Sequence, residues 1–249
     1  MIRTRTEDPL VIEAKDADFK TKYMTGNPAG HIDYLQTLKI PFYVRETEYT
    51  ISIILDNREY TYCMNAEFNK VLYLIRFVKK DFQRWLDAGN KVDPEMYGYR
   101  SSHDNCMFRS ERKTVKYDVD HAYWQIAFNH GMISQNTYNH GLKIKAAGGD
   151  MKKMYCVALS VQGSGKSFNK YKEKKKVPGG IKFPERAEFR KMYDFIRNKT
   201  FYHMDYLAYK LGNEFKSYDV DCIEFADTKI NCTFVSEYFK QQNLSFKIL

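Results

Sequence analysis

Apolar residues recur along this chain with two periods, about 3.6 and 2, and the switches between them predict its elements. Residues 1–38 are polar, with Gly26-Asn27-Pro28 and Gly30 as breaks, and read as loop-rich. Residues 40–64 alternate and read as a hairpin. Its outgoing strand includes Thr50-Ile51-Ser52-Ile53-Ile54-Leu55, its turn is Asp56-Asn57, and Glu59-Tyr60-Thr61-Tyr62-Cys63 returns. Asn65 is placed to cap a long helix. Phe68, Val71, Leu72, Ile75, Val78, Phe82, Trp85 and Leu86 fall mostly at three- and four-residue steps, and Gly89-Asn90 stops them.

After an irregular connection over 90–112, a strand from Thr114 leads into a helix over 122–128 that Gly131 ends. Ser134 caps the next helix, and Gly148-Gly149 breaks it. An apolar run over 154–161 precedes Gly163-Ser164-Gly165-Lys166-Ser167 and a cationic tract to Lys176. Pro178-Gly179-Gly180 marks a turn. Pro184 opens a helix with Phe189, Met192, Tyr193 and Ile196 on one face. Thr200 reads as the cap of another, carrying Met204, Leu207, Ala208 and Leu211 and ended by Gly212. Residues 215–225 form a hairpin with Asp219-Val220-Asp221 at its turn. Asp227 caps a helix through Phe239, and 244–249 is a last strand. The pattern predicts an α+β fold, a mixed or antiparallel sheet with helices on one face. It divides the chain into a hairpin-and-helix extension, 1–112, and a second domain, 113–249.

Charge changes this picture by adding a class of partner. Lys+Arg exceed Asp+Glu by 40 to 31, a formal charge of +9 in 249 residues. That excess suits an anionic partner such as nucleic acid or a nucleotide, and it equally suits a lysine-rich solvated surface. The five cysteines, Cys63, Cys106, Cys156, Cys222 and Cys232, contain no CxxC pair and are odd in number, so they read as reduced thiols, mostly core filler. The first residues lack an apolar signal-like stretch, and no apolar run approaches the ~18 residues of a membrane span. The expectation is a cytoplasmic protein, or one of a host's cytoplasm if viral, without a membrane partner.

The candidate chemistry lies in a repeat. Tyr-Asp-Val-Asp occurs at 117–120 and again at 218–221, each time beside strand-like sequence. Phosphoryl transfer asks of a protein mainly that metal ions be held against phosphates, and carboxylates on neighbouring strands do this. Asp118 from one strand, with Asp219 and Asp221 from a turn, would hold Mg²⁺ or Mn²⁺. The competing reading is that these aspartates are the solvent-facing members of half-buried strands, which simple alternation also produces. Asp is depleted in strands, which weighs toward a site.

Tyr117-Asp118-Val119-Asp120-His121-Ala122-Tyr123 resembles the first palm motif of family B DNA polymerases, phage ones in particular. Tyr218-Asp219-Val220-Asp221-Cys222-Ile223 is similar to that family's Asp-x-Asp hairpin. The resemblance covers about residues 113–249 and implies a bare palm without the family's fingers, thumb or exonuclease. It implies a palm-like sheet and a metal-dependent nucleotidyltransferase acting in DNA replication on a primer or template. Deoxynucleoside triphosphates and further replication subunits would be partners. It also makes Asp118, Asp219 and Asp221 catalytic metal ligands and places Tyr123 under the incoming sugar; Asp120 matches a variable position. A non-catalytic nucleic-acid-binding or assembly protein on the same scaffold is the alternative.

A third reading is a P-loop NTPase. Gly163-Ser164-Gly165-Lys166-Ser167 follows an apolar run, as a P-loop does, but Ser160 stands where the pattern requires glycine. Read instead as the tip of a basic hairpin, Lys166, Lys170, Lys172, Lys174, Lys175 and Lys176, with Phe168 and Tyr171 between them, suit a nucleic-acid backbone. Lys166 and Lys170 are therefore candidate substrate-binding residues. His121, His130 and His140 lack zinc spacing, as do His103 and Cys106. His121 reads as a surface residue beside Asp120.

Overall fold

The computed structural model describes residues 3–6, 28–37, 41–47, 50–55, 58–63, 68–100, 113–172 and 175–249. In chain order the elements are β1 (Arg3–Thr6), α1 (Pro28–Thr37), β2 (Phe42–Glu46), β3 (Thr50–Leu55), β4 (Arg58–Cys63), α2 (Phe68–Asp87), α3 (Pro94–Tyr97), β5 (Thr114–Val119), α4 (Ala122–Asn129), α5 (Gln135–Ala146) and α6 (Gly149–Val157). They continue with β6 (Lys166–Lys172), β7 (Lys175–Phe183), α7 (Ala187–Leu211), β8 (Phe215–Asp219), β9 (Cys222–Ala226), α8 (Lys229–Gln241) and β10 (Phe246–Ile248). The fold is α+β, with two antiparallel sheets rather than one. The turn Asp56-Asn57, the cap Asn65, Gly26-Asn27, and the pair His103 and Cys106 lie outside the described residues.

Contacts divide the chain otherwise than at residue 112. One compact unit joins Met1–Tyr73 to Ser164–Glu185, and the other joins Leu74–Gly163 to Arg186–Leu249. The reason is strand pairing over long sequence distances. β6 pairs with β2, Phe42 opposite Tyr171 and Val44 opposite Asn169, so the 166–183 ribbon belongs to the first sheet. Local periodicity carries no trace of such a pairing.

The first unit holds the six-stranded sheet, in the order β1-β4-β3-β2-β6-β7. Alternation sends Phe42, Ile53, Tyr60 and Tyr62 to one face, where they bury with Leu35 of α1. The polar N-terminal stretch is thus not all loop. β1 pairs with β4, and α1 contributes Ile32, Tyr34 and Leu35 to the core. His31 is buried there too, its Nδ1 2.7 Å from the Tyr62 hydroxyl.

In the second unit, Leu74, Val78 and Phe82 of α2 are fully buried at helical spacing. Asp81, also buried, accepts hydrogen bonds from Ser134 N and Ser134 Oγ at 2.7 Å, while Ser134 Oγ caps α5 by accepting from Thr137 N. The 154–161 run is helical through Val157 and then a 3-10 turn, Ser160–Gln162. α7 is one helix of 25 residues, not two. Thr200 sits in its middle, and its hydroxyl donates to the Ile196 carbonyl one turn back at 3.2 Å instead of capping a new helix. Gly212 does end α7, with φ 53. Thr228 rather than Asp227 caps α8.

Each unit buries a histidine whose charged form is disfavoured. Burial lowers His31 to about 4 and, with Lys199 and His130 nearby, lowers His203 to about 3. The unfolded chain therefore binds more protons than the native one below the ordinary histidine range, and stability falls as pH drops through about 6.5. We expect the unfolding free energy, measured by denaturant titration between pH 7 and 5, to fall with a slope approaching about 1.4 kcal/mol per pH unit for each buried imidazole. A flat profile over that range would contradict this burial, and His203→Gln should flatten the part owed to the second unit.

Candidate functional site

The second sheet runs β10-β5-β9-β8. Lys247 opposes Asp118, Asp118 opposes Cys222, and Cys222 opposes Asp219. Directly opposed residues share a sheet face, so these four form one cross-strand row. Two positions along, Lys116 opposes Glu224 on the same face. Glu224 gathers this end of it, accepting from Thr114 Oγ1 at 2.6 Å and Lys216 Nζ at 2.7 Å. The alternate residues Tyr117, Val119, Ile223 and Phe225 are buried on the opposite face. There Phe239 of α8 packs on Phe246, and Tyr218 Oη donates to Asp205 of α7 at 2.8 Å. Pattern alone thus sorts the sheet into an apolar side under helices and a charged side.

The hairpin β8–β9 closes with two residues, Val220 and Asp221. Val220 has φ 51 and an exposed side chain. A β-branched residue in the left-handed region is strained, and such strain concentrates at functional turns. The turn is pinned from β5, where Val119 N donates to the Asp221 carbonyl at 2.9 Å. The Asp221 carboxyl is pushed up to about 6, first by burial, then by the charges of Asp118 and Asp219. Asp118 carries an ion pair with Lys247 Nζ at 2.8 Å. Asp219, at the open end of β8, is exposed.

Three groups surround the carboxylates. Tyr123 packs edge-on to Tyr193, ring centroids 6.3 Å apart, and its phenol is raised to about 12 by burial, Tyr193 and Asp221 in turn. Lys145 of α5 lies 2.7 Å from His121 Nδ1 and also acts on Asp221. α5 comes close enough because residue 141 is glycine, since a Cβ there would fall 2.8 Å from the Trp124 ring. Below the hairpin, buried Asp205 accepts from both Tyr218 and Tyr99 hydroxyls.

Asp221 therefore lies near both Asp118 and Tyr123, and Asp219 shares the sheet face of Asp118 two strands away. Among the described residues no group of three or more His, Cys, Asp or Glu side chains is gathered tightly enough to cage a metal ion. Lys166 and Lys170 belong to the first unit, where Lys166 Nζ is held by both Glu59 oxygens at 2.9 Å. Gly163–Ser167 lies between a helical turn and strand β6, the reverse of the strand–loop–helix order of a P-loop, so no helix start points its N–H groups at a phosphate there. The described cysteines Cys63, Cys156, Cys222 and Cys232 are half-buried or exposed rather than core filler. His121 is half-buried against Lys145 rather than a plain surface residue. Lys247, Lys145 and Asp205 were not among the expected site residues; only strand register and helix packing, not spacing, bring them in.

No family model, curated protein or solved structure matches the chain. Among the described residues no helix is long and apolar enough to cross a membrane.

Asn tolerates the left-handed region far better than Val, without loosening the unfolded chain as Gly does. Val220→Asn should therefore raise stability by about 1 kcal/mol, a gain of about 2–4 °C in Tm. A lower Tm in a thermal melt would contradict the strain assigned to this turn.

Proposed function

We propose that the chain is a metal-dependent nucleotidyltransferase with a palm-like second unit, acting on a nucleic-acid primer or template with deoxynucleoside triphosphates. One observation carries the reading. Strand register sets Asp118 and Asp219 on the open face of one sheet, and the hairpin turn sets Asp221 beside Asp118.

The donor set suits a hard divalent cation. Mg²⁺ is commonly held by one or two carboxylates with waters and substrate phosphates, so a pair suffices where a three-residue cage is lacking. Asp118 and Asp221 would hold Mg²⁺ or Mn²⁺, with Asp219 at the rim, and the ion would neutralise charge on the phosphates. The protein's own groups do the rest. Tyr123 offers a ring wall beside Asp221 on which a sugar can rest. The Lys145 ammonium, steadied by His121, supplies positive charge for a triphosphate. Tyr218, tied to Asp205, fixes the strand that ends in Asp219.

The Lys247–Asp118 ion pair favours a second reading. An ammonium 2.8 Å from a carboxylate oxygen can take a cation's place permanently, leaving a scaffold that binds nucleic acid without chemistry. Extension of a labelled primer in Mn²⁺ separates the two. Wild type should incorporate nucleotide, and Asp118→Asn or Asp221→Asn should lose about 100- to 1000-fold, as removal of a main electrostatic contact does. Lys247→Met should retain or gain incorporation. Incorporation equal in wild type and both Asn variants would sink catalysis by these carboxylates, and none from wild type would favour the scaffold.

A further inference from the structure

We infer that the face of the first sheet formed by β2, β6 and β7 is a binding surface for single-stranded nucleic acid, separate from the carboxylate site. The argument starts from register. Tyr43 of β2 opposes Lys170 of β6, which opposes Val177 of β7, and Lys172 opposes Lys175. Lys166 and Lys170 lie an even number of residues from Lys172, and Arg45 lies two from Tyr43. Arg45, Tyr43, Lys166, Lys170, Lys172 and Lys175 therefore share one face. It is the face turned away from the core of Phe42, Val44, Ile53 and Tyr60. Ser52, Ile54 and Phe168 share it and are buried, so its accessible part is the end around Tyr43, Lys170, Lys172 and Lys175.

This face is unbalanced in charge. Glu59, in the row of Tyr43 and Lys170, is taken up by Lys166 at 2.9 Å. Among the described residues, Arg45, Lys170, Lys172 and Lys175 have no ion-pair partner. Lys172 and Lys175 face each other directly across the ribbon, an arrangement that costs stability when nothing lies between the charges. β7 is the last strand of the sheet, and Lys172 and Lys175 are exposed.

A polyanionic strand fits this geometry. Alternate residues of a strand are spaced about 6.8 Å apart, so these lysines form a regular row of cations along which a phosphate backbone can run. Tyr43, half-exposed between Arg45 and Lys170, supplies a ring on which a base can stack beside cations that follow the backbone, the combination that single-strand binders use. A duplex would use the charges but not the ring.

The test uses the full chain and a fluorescent single-stranded oligonucleotide of about 15 nucleotides, within the size of known sheet-borne sites. Anisotropy is followed across salt from about 50 to 200 mM. The variant Lys170→Ala/Lys172→Ala/Lys175→Ala should bind at least tenfold more weakly, with a log–log salt slope shallower by about 2, at about 0.7 per lost contact. Tyr43→Ala should weaken binding while leaving the slope unchanged. Removing three exposed lysines of the other unit, Lys152→Ala/Lys229→Ala/Lys240→Ala, should change little. Equal losses in the two triple variants, no loss in the first, tighter binding of a duplex, or binding of anionic phospholipid vesicles with no affinity for the oligonucleotide would each overturn the assignment. Asp221→Asn should bind as wild type does, so this surface and the carboxylate chemistry stand or fall separately.

Discussion

The period-two alternation of β5, locked between β9 and β10, is the constraint on which the second unit depends. Tyr117 and Val119 must go under the helices because they are large and apolar, and Lys116 and Asp118 then have no choice but the open face. A slip of one residue would drive Asp118 against Phe239 and Phe246 and leave a buried charge without a partner. The hydrophobic face therefore fixes the position of the carboxylate, and burial energy is spent on geometry at the site without any contact to it.

The hairpin extends that constraint to a second chain segment. β9 pairs with β5 over five positions, from Thr114 with Ala226 to Asp118 with Cys222, so the turn that leads into β9 is delivered beside Asp118. Two devices hold it: the hydrogen bond from Val119 N to the Asp221 carbonyl, and the Tyr218–Asp205 link to α7. Two carboxylates so placed repel each other, which adds to burial in raising Asp221. Cationic groups, Lys247 on Asp118 and Lys145 near Asp221, reduce that repulsion. The arrangement is one that a divalent cation would relieve further.

Much of this was legible from the chain. The 3.6-residue period of α2, the glycine after Leu211, and the acidic turn between two apolar strands are local signals, and the structure has those elements where the pattern put them. The rest depends on partners far away in sequence. That β6 and β7 complete a sheet with β2 follows from register between residues 42 and 171, which no window of sequence contains. Thr200 looked like a cap because its hydroxyl can serve either role, and only the continuous burial of Phe195, Ile196, Met204 and Leu207 settles that the helix runs through it. Asp118 and Asp221 could be named from spacing and residue type. Lys247 and Lys145 could not, since lysines are common in this chain and only strand order and the close approach at Gly141 select these two.

The central claim is that Asp118 and Asp221 share a divalent cation. Anomalous diffraction from crystals of the full chain soaked in Mn²⁺ tests it most directly. The account predicts a manganese peak between the two carboxylates, with the Lys247 ammonium displaced from Asp118. A peak elsewhere, or none, with Lys247 still paired to Asp118, would contradict it.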